Sequence, residues 1–476
     1  MPPDLALLLW LVCLVLLFRF DPAKEPGSSP ALWVPIVWLS ILASKNPSAW
    51  FSGPGSTIAS FSEGNPFDRA VYLAMIGVAI WTLKSRSFNW SSFSARNTTL
   101  VVFVCLSFIS AAWSDFPLTC LKRWFRDLGG YFVILLVLTD PRPKEAVGTV
   151  LRRVSYLLIP LSIMLDKYFP GIGRSFSAWT GEGFYQGVTT GKNLLGALAL
   201  ICGLFFVSDT LARWGGRKNK RTKRILLVNV MFVAMCISLL QDAKSTTTQV
   251  CFAVGCLVIA AVQSKTLRRW PRVLKTAVPG AFCLYLVLAF VFDKLGSMAQ
   301  AVGKDPSLTD RTKIWNFLLG MHTNPVIGTG YQSFWLGPRL EMFWNDAGLG
   351  HINEAHNGFL EIYLELGFIG VFIIVLLLIS GYRNLCRRLS PFSTLAPLGF
   401  GIWITLLFYC MTEAGFEFGL FWSVFLMTTV SVPRQAERKG MSASSSADWL
   451  AQAESHTQYS ETGAVRNGDL IVTSTK

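Results

Sequence analysis

The sequence has little charge for its length. Only 15% of its 476 residues are Asp, Glu, Lys or Arg, whereas 52% are hydrophobic and the mean hydropathy is +0.45. This composition excludes an ordinary soluble domain. Apolar runs of the roughly 20 residues that a helix needs to cross a bilayer recur along the chain. The alternating pattern of a membrane β-barrel is missing. The sequence therefore predicts an all-α polytopic membrane protein.

Cysteine pairs and internal repeats are missing as well. The ten cysteines are scattered and none forms a C-x-x-C pair. Several lie within apolar runs, namely Cys202, Cys236, Cys251 and Cys283. We therefore interpret them as small residues of membrane helices and not as disulfides or metal ligands.

Apolar segments predict about 12–13 transmembrane helices. The first run, Leu5 to Phe18, lacks a basic start and a small-x-small cleavage site, so we expect a retained helix and not a signal peptide. The second and fifth segments are short or weak. The predicted spans are 4–19, 29–44, 69–84, 98–113, 129–139, 149–165, 193–212, 225–240, 248–263, 276–293, 358–381, 392–411 and 418–432.

The net charge of +15 is carried largely by short basic loops between these spans. In a soluble protein it would suggest a nucleic-acid partner, which we do not expect here. Five basic segments alternate with the other loops, so the positive-inside rule makes them cytoplasmic. They are 84–96, 142–153, 213–224, 265–275 and 383–388. The opposite, outer side receives 45–68, 114–128, 166–192, 241–247, 294–357 and 412–417.

Three regions follow from this pattern. Residues 1–99 hold the N-terminal transmembrane helices, and residues 100–432 form the main membrane domain with one long outer loop at about 294–357. Residues 433–476 are polar and rich in Ser and Thr, so we expect a disordered cytoplasmic tail.

Basic residues on the outer side depart from the positive-inside trend and need another reason. An anionic ligand would supply one, because arginine forks and lysine ammonium groups match phosphate oxygens. Lys192 would also stand at a helix N-terminus, which favours an anion. Alternatively, some of these cations snorkel to lipid headgroups or pair with Asp115, Asp127 or Asp310. The candidates are Arg123, Arg126, Lys192, Lys244 and Arg311.

His356 stands with Asn357 at the mouth of the span 358–381. Three of the four histidines, His322, His351 and His356, lie in the same outer loop. The segment 351–356 fits neither His-Glu-x-x-His nor His-x-x-Glu-His, so we expect no metal and no cofactor. A structural role at the helix start is an alternative, since Asn357 can also cap. We favour a general base, because an imidazole pKa of about 6.5 suits proton removal near neutrality.

Two pairs of glutamates are spaced one helical turn apart on the same side. Glu361 and Glu365 follow His356 in the next span, and Glu413 and Glu417 stand in the last outer turn. Carboxylates in a membrane helix tend to face the bundle interior. Glu361 could orient His356, contact a substrate or pair with an outer arginine. A purely structural ion pair is equally compatible with the pattern.

These motifs resemble the O-antigen ligase and polymerase superfamily. His356-Asn357 followed by Gly367 and Gly370 is similar to its signature, and so are Asp310 to Trp315 and Asn324 to Tyr331. Gly187 to Gly196 resembles its Lys-Asn-x-x-Gly element, although Gly191 stands where many members have a histidine. The resemblance covers about residues 100–430.

The resemblance implies a metal-independent membrane glycosyltransferase of the bacterial inner membrane, with its site facing the periplasm. The donor would be a glycan on undecaprenyl diphosphate, and the acceptor a hydroxyl of lipid A-core or of another lipid-linked repeat. His356 would deprotonate that hydroxyl. Arg311, helped by Lys192, Arg123, Arg126 or Lys244, would hold the diphosphate, with Asn357, Glu361 and Asn193 in support.

The alternatives differ in class. A polymerase of O-antigen or exopolysaccharide is nearly as well supported as a ligase, since Trp179 to Gly183 resembles exopolysaccharide polymerases. A transporter of a lipid-linked glycan or another solute would also need outer cations, but it would normally show inverted repeats or broken helices, and neither is apparent. A membrane scaffold would not need His356 among so many cations.

Overall fold

The computed structural model describes residues 1–23, 29–51, 65–86, 88–176, 181, 183–287, 308–347 and 352–432. The expected disordered tail, His351 and most of the segment around Trp179 lie outside these residues. Residues 1–88 and 97–430 form one compact unit. Of the second unit, residues 89–96 and 431–476, the described part includes one short helix, Trp90–Arg96.

The described residues contain eighteen α-helices and one small hairpin. The hairpin pairs β1 (Arg174–Phe176) with β2 (Gly183–Tyr185) in antiparallel register. The helices are α1 (Pro3–Arg19), α2 (Trp33–Leu42), α3 (Pro66–Ser85), α4 (Trp90–Arg96), α5 (Thr98–Ile109), α6 (Pro117–Leu138), α7 (Pro143–Tyr168), α8 (Pro170–Gly173), α9 (Lys192–Arg213), α10 (Lys220–Asp242), α11 (Thr246–Gln263), α12 (Lys265–Arg268), α13 (Pro271–Leu286), α14 (Leu308–Gly320), α15 (Gly337–Asp346), α16 (Gly358–Arg387), α17 (Ala396–Cys410) and α18 (Leu420–Thr429).

The predicted all-α polytopic membrane fold is confirmed. A helix lies at every predicted span, and six helices of the described part are each long and apolar enough to cross a membrane: α3, α7, α9, α10, α11 and α16. Helices α17 and α18 are shorter, yet nearly all their residues are buried. They pack against each other, and α17 also packs against α11, so these two apolar helices lie inside the bundle.

The fifth span was predicted too short. Instead of beginning near residue 129, α6 begins at Pro117 and runs for 22 residues. Its first turns carry Arg123, Arg126 and Asp127, which lower the local hydropathy and mimic a loop. These charges are tolerated in the helix because they have partners, including an ion pair of 2.8 Å between Arg126 Nε and Asp127 Oδ1.

Part of the predicted outer loop forms a small helical layer over the start of α16. Helices α14 and α15 share an apolar core with the first turns of α16, and the rings of Phe317 and Phe343 meet edge to face at 5.5 Å. Buried members of that core are Ile314, Leu318, Phe334, Trp335, Leu340, Phe343, Ala355 and Leu364. Because Ala355 belongs to this core, the layer fixes the backbone next to His356.

Candidate active site

Asn357 is the N-cap of α16. Its side-chain Oδ1 accepts the backbone N–H groups of Phe359 at 3.0 Å and Leu360 at 3.1 Å, which would otherwise have no helical partner. The capping role therefore falls to Asn357 and leaves the imidazole of His356 available for other contacts. His356 itself has a positive φ of 48°, an uncommon conformation for a residue with a side chain.

Glu361 holds the segment that leads into His356. One oxygen, Oε2, accepts the Ala355 N–H at 2.7 Å, and the other accepts the indole N–H of Trp335. The indole of Trp315 donates to the Ala355 carbonyl at 2.9 Å. Both backbone polar groups of Ala355 are thus bound, and Glu361 supports His356 through the backbone and not by direct contact.

Glu413, in the turn between α17 and α18, joins three predicted site residues. Its Oε1 lies 2.8 Å from Arg311 Nη2 and accepts the Asn193 amide N–H at 2.9 Å. Its Oε2 lies 3.3 Å from Nδ1 of His356. The Glu413 side chain is only 3% exposed, so these contacts form away from solvent. Residues far apart in the chain therefore meet around one carboxylate.

The carboxylates change the proton affinity of His356. Glu354 Oε1 also lies 2.9 Å from His356 Nδ1. Burial by itself lowers the pKa of His356, but hydrogen bonds and charge from Glu354 and Glu413 outweigh burial and raise that pKa from 6.5 to about 10. His356 is consequently an imidazolium at neutral pH, and its basicity exceeds that assumed from the unperturbed pKa.

Glu354, His356 and Glu413 also form a possible cation site. Their ligand atoms all lie within 4.8 Å of one another. Sequence spacing gave no hint of this set, because Glu413 comes from another part of the chain. A metal ion at Nδ1 of His356 would compete with the proton that the two carboxylates hold there. The absence of a metal from the chemistry stays a prediction.

A second polar cluster surrounds Asp127 and Gln332. Asp127 Oδ2 accepts the Tyr331 hydroxyl at 2.9 Å and the Gln332 amide N–H at 2.7 Å. Arg126 pairs with Asp127 Oδ1, and Arg123 Nη1 donates to the Gln332 carbonyl at 2.5 Å. Both predicted arginines of α6 are therefore held beside the same segment of the outer loop.

A pocket lies between the second cluster and the first turns of α16. Tyr331 and Gln332 line one part of it, and Gly358, the first residue of α16, lines another. Its remaining walls come from Glu361, Ile362, Glu365, Ala414, Phe416 and Glu417. Gln332 in this lining contacts Arg123 and Arg126, and Gly358 follows His356 by two residues.

The backbone of α16 is broken at Gly367, where φ is 63° and ψ is −164°. Residues 325–330 supply hydrogen-bond partners for the backbone groups on both sides of this break. Thr329 N–H donates to the Leu364 carbonyl at 3.1 Å, and Gly330 N–H donates to the Glu365 carbonyl at 2.8 Å. Beyond the break, Phe368 N–H donates to the Pro325 carbonyl at 2.8 Å. Every backbone group named here has a protein partner, as buried backbone groups require.

This break corrects one sequence interpretation. We expected no broken helix and took its absence as an argument against a transporter. The helix is broken, but the open carbonyls and N–H groups at Gly367 bind protein backbone. In transporters, such half-helix ends face a substrate or ion. The break therefore adds no support to the transporter alternative.

The two predicted lysines lie apart from these contacts. Lys192 is the first residue of α9, so it lies at a helix N-terminus as predicted. Its side chain is exposed. Lys244 is exposed in the turn before α11, with φ of 49°. Thr247 of α11 bonds Thr412, the neighbour of Glu413, at 2.9 Å. Both lysines thus border the site without belonging to either cluster.

Polar contacts bring together loops that the charge pattern assigns to the same side. Arg339 pairs with Asp115, and Arg311 pairs with Glu413, all four in predicted outer segments. Which side faces the periplasm stays a prediction.

The fold and site define an α-helical polytopic membrane protein whose polar site lies at the mouth of a broken helix. Residues 230–375 match the O-antigen ligase family. The chain is also similar to the exopolysaccharide production protein ExoQ of Rhizobium meliloti (strain 1021), at 25% identity over 300 residues. That alignment covers 60% of this chain and 64% of the relative's own length. The predicted resemblance to the O-antigen ligase and polymerase superfamily is confirmed.

Proposed function

We propose that the protein transfers a glycan from an undecaprenyl-diphosphate carrier to a hydroxyl group at the outer face of the inner membrane. The observation that carries this proposal is the arrangement of His356 and Arg311 on Glu413, together with Arg123 and Arg126 on Gln332, a residue of the nearby pocket. A base and several cations in one region of the protein suit a reaction in which an anionic group leaves.

In this reaction the acceptor oxygen forms a bond to the anomeric carbon while the bond from that carbon to the phosphate oxygen breaks. The hydroxyl proton passes to Nε2 of His356, whose Nδ1 faces Glu354 and Glu413. The electron pair of the broken bond stays on the diphosphate, where Arg311, Arg123 and Arg126 stabilise the charge. The diphosphate needs no protonation to leave.

His356 must be neutral to accept a proton, although its resting form is the imidazolium. The alternative role for the imidazolium is to donate a hydrogen bond to the diphosphate. We favour the base, since the two carboxylates make the neutral imidazole a stronger proton acceptor than an isolated one. The pH dependence described in the Discussion distinguishes the two roles.

The acceptor decides between two functions. A ligase would use lipid A-core, whereas a polymerase would use another lipid-linked repeat. The description of the matching family, O-antigen ligase, favours the first. The name of the exopolysaccharide production relative favours the polymerase of an exopolysaccharide as the second candidate.

A His356→Ala substitution in cells tests the proposal. Long carrier-linked chains with unmodified lipid A-core would indicate a ligase, and single accumulated repeats would indicate a polymerase. His322→Ala is the control, because His322 is exposed in the same outer segment. Unchanged surface glycan in the His356 variant would contradict both functions.

A further inference from the structure

Gln332 contacts both arginines of α6. Its main-chain carbonyl accepts Arg123 Nη1 at 2.5 Å, and its side-chain Oε1 lies 3.4 Å from Arg126 Nη2. Its amide Nε2 donates to Asp127 Oδ2 at 2.7 Å. Gln332 also lines the pocket together with Glu361 and Glu365 of α16. One residue at the pocket wall therefore connects the arginine pair with the first turns of α16.

The backbone at Gln332 is in an unfavourable conformation. Its φ is 49°, in the left-handed region that residues with a side chain rarely occupy. Such conformations persist only where surrounding contacts impose them, and they concentrate at functional sites. Here the conformation directs the carbonyl to Arg123 and the amide to Asp127 and Arg126.

The neighbours of Gln332 hold the segment without its side chain. The Tyr331 N–H donates to Ser110 Oγ at 2.9 Å, and Ser333 Oγ accepts the Ser114 hydroxyl at 2.7 Å. Tyr331 and Ser333 are buried, whereas Gln332 is only partly buried. The segment is therefore anchored on both sides of Gln332 by bonds that the Gln332 amide does not make, while the amide itself contacts Asp127 and Arg126.

We infer that Gln332 is a positioning residue that holds the guanidinium groups of Arg123 and Arg126 in place to bind a prenyl diphosphate. This inference rests on the proposed function and names a residue for it. Gln332 acts through the arginines and does not contact the diphosphate itself. Removing its side chain should weaken diphosphate binding only while Arg126 is present.

Farnesyl diphosphate is a suitable probe, because it carries the diphosphate on a short prenyl chain. We expect Gln332→Ala in the purified full-length protein to weaken its binding about tenfold, the usual scale for a lost hydrogen bond to a charged group. Gln332→Asn keeps a residue that tolerates the left-handed conformation but shortens the reach of the amide. It should weaken binding as well, without lowering the thermal unfolding temperature. Farnesol, without phosphates, should bind all variants equally.

A double-mutant cycle with Arg126→Ala decides the inference. We expect Gln332→Ala to add nothing in the Arg126→Ala background. Full additivity of the two changes would overturn the inference, and so would unchanged binding in both Gln332 variants. If Arg126→Ala and Arg311→Ala both bind farnesyl diphosphate as the unmodified protein does, the proposed function itself is wrong.

Discussion

Glu361 Oε2 accepts the backbone N–H of Ala355 at 2.7 Å, which ties the first turn of α16 to the residue before His356. A side chain of the membrane helix thereby fixes the outer segment, and the imidazole can reach Glu354 and Glu413. This backbone anchor therefore sets the position of the proposed base.

The rate of transfer should increase with pH. Since contacts with Glu354 and Glu413 raise the pKa of His356 to about 10 although burial opposes them, the neutral base is a minor form at pH 7. Its fraction grows about tenfold per pH unit below that pKa, so kcat/KM should rise and level off near pH 10. Steady-state rates measured over a range of pH give this dependence of kcat/KM on pH.

Glu354→Gln provides the matched variant for that profile. It removes one of the two carboxylates, so the pKa of His356 falls and the rise should move to lower pH by about 1 unit or more. Asp115→Asn is the control, because Asp115 pairs with Arg339. A rate that falls as the pH approaches 10 would instead identify the imidazolium as the working form.

Arg311→Ala should reduce transfer by about 10²- to 10³-fold, the usual effect of losing one donor to a developing negative charge. Arg311→Lys should recover only part of it, since an ammonium group cannot bind two oxygens as a guanidinium fork does. Initial rates with a lipid-linked donor measure both. Arg339→Ala, from the same outer segment, should retain activity, and equal loss in both arginine variants would refute a specific role.

Asn357→Ala should destabilise the start of α16 by about 1 kcal/mol, because two N–H groups lose their acceptor. Asn357→Ser and Asn357→Asp keep an acceptor and should restore both stability and activity. Thermal unfolding in detergent reports the stability. Asn353→Ala is the control, since Asn353 is exposed in the same segment. Full activity of Asn357→Ala would contradict a positioning role for the cap.

Gly367→Ala and Gly328→Ala should each prevent stable folding. A Cβ on Gly367 would lie 2.2 Å from the Val326 carbonyl carbon, and one on Gly328 would lie 2.3 Å from that of Glu365. Both residues also have positive φ, which adds about 1–2 kcal/mol of strain for alanine. Yield and unfolding temperature after purification measure the effect.

Gly181→Ala separates strain from collision. Gly181 has φ of 68°, yet a Cβ there would meet no atom of the described residues within 4 Å. Gly181→Ala should therefore lower the stability only by the backbone strain of a positive φ. If Gly181→Ala lowered the yield and the unfolding temperature as much as Gly367→Ala, the close backbone approach at Gly367 would not explain the effect of Gly367→Ala.

Apolar runs predicted where the helices lie, because burial in lipid depends on local composition. The sequence also indicated Arg311, His356 and Asn193 as site residues. It could not indicate that Glu413 joins them, since Arg311 and Glu413 are 102 residues apart. The sequence could not indicate Gln332 for a similar reason. Its contacts depend on its backbone conformation and on residues of α6, and no local sequence pattern reveals either.

The contact between residues 325–330 and α16 is made mainly by backbone atoms. Side chains such as those of Val326 and Ile327 can therefore diverge between relatives without weakening it, whereas the two glycines at the crossing cannot. A chimera that takes the outer segment from one homologue and α16 from another should still assemble if both keep these glycines. Modularity of this kind would let the outer loop acquire new acceptors while the helix beneath it stays the same.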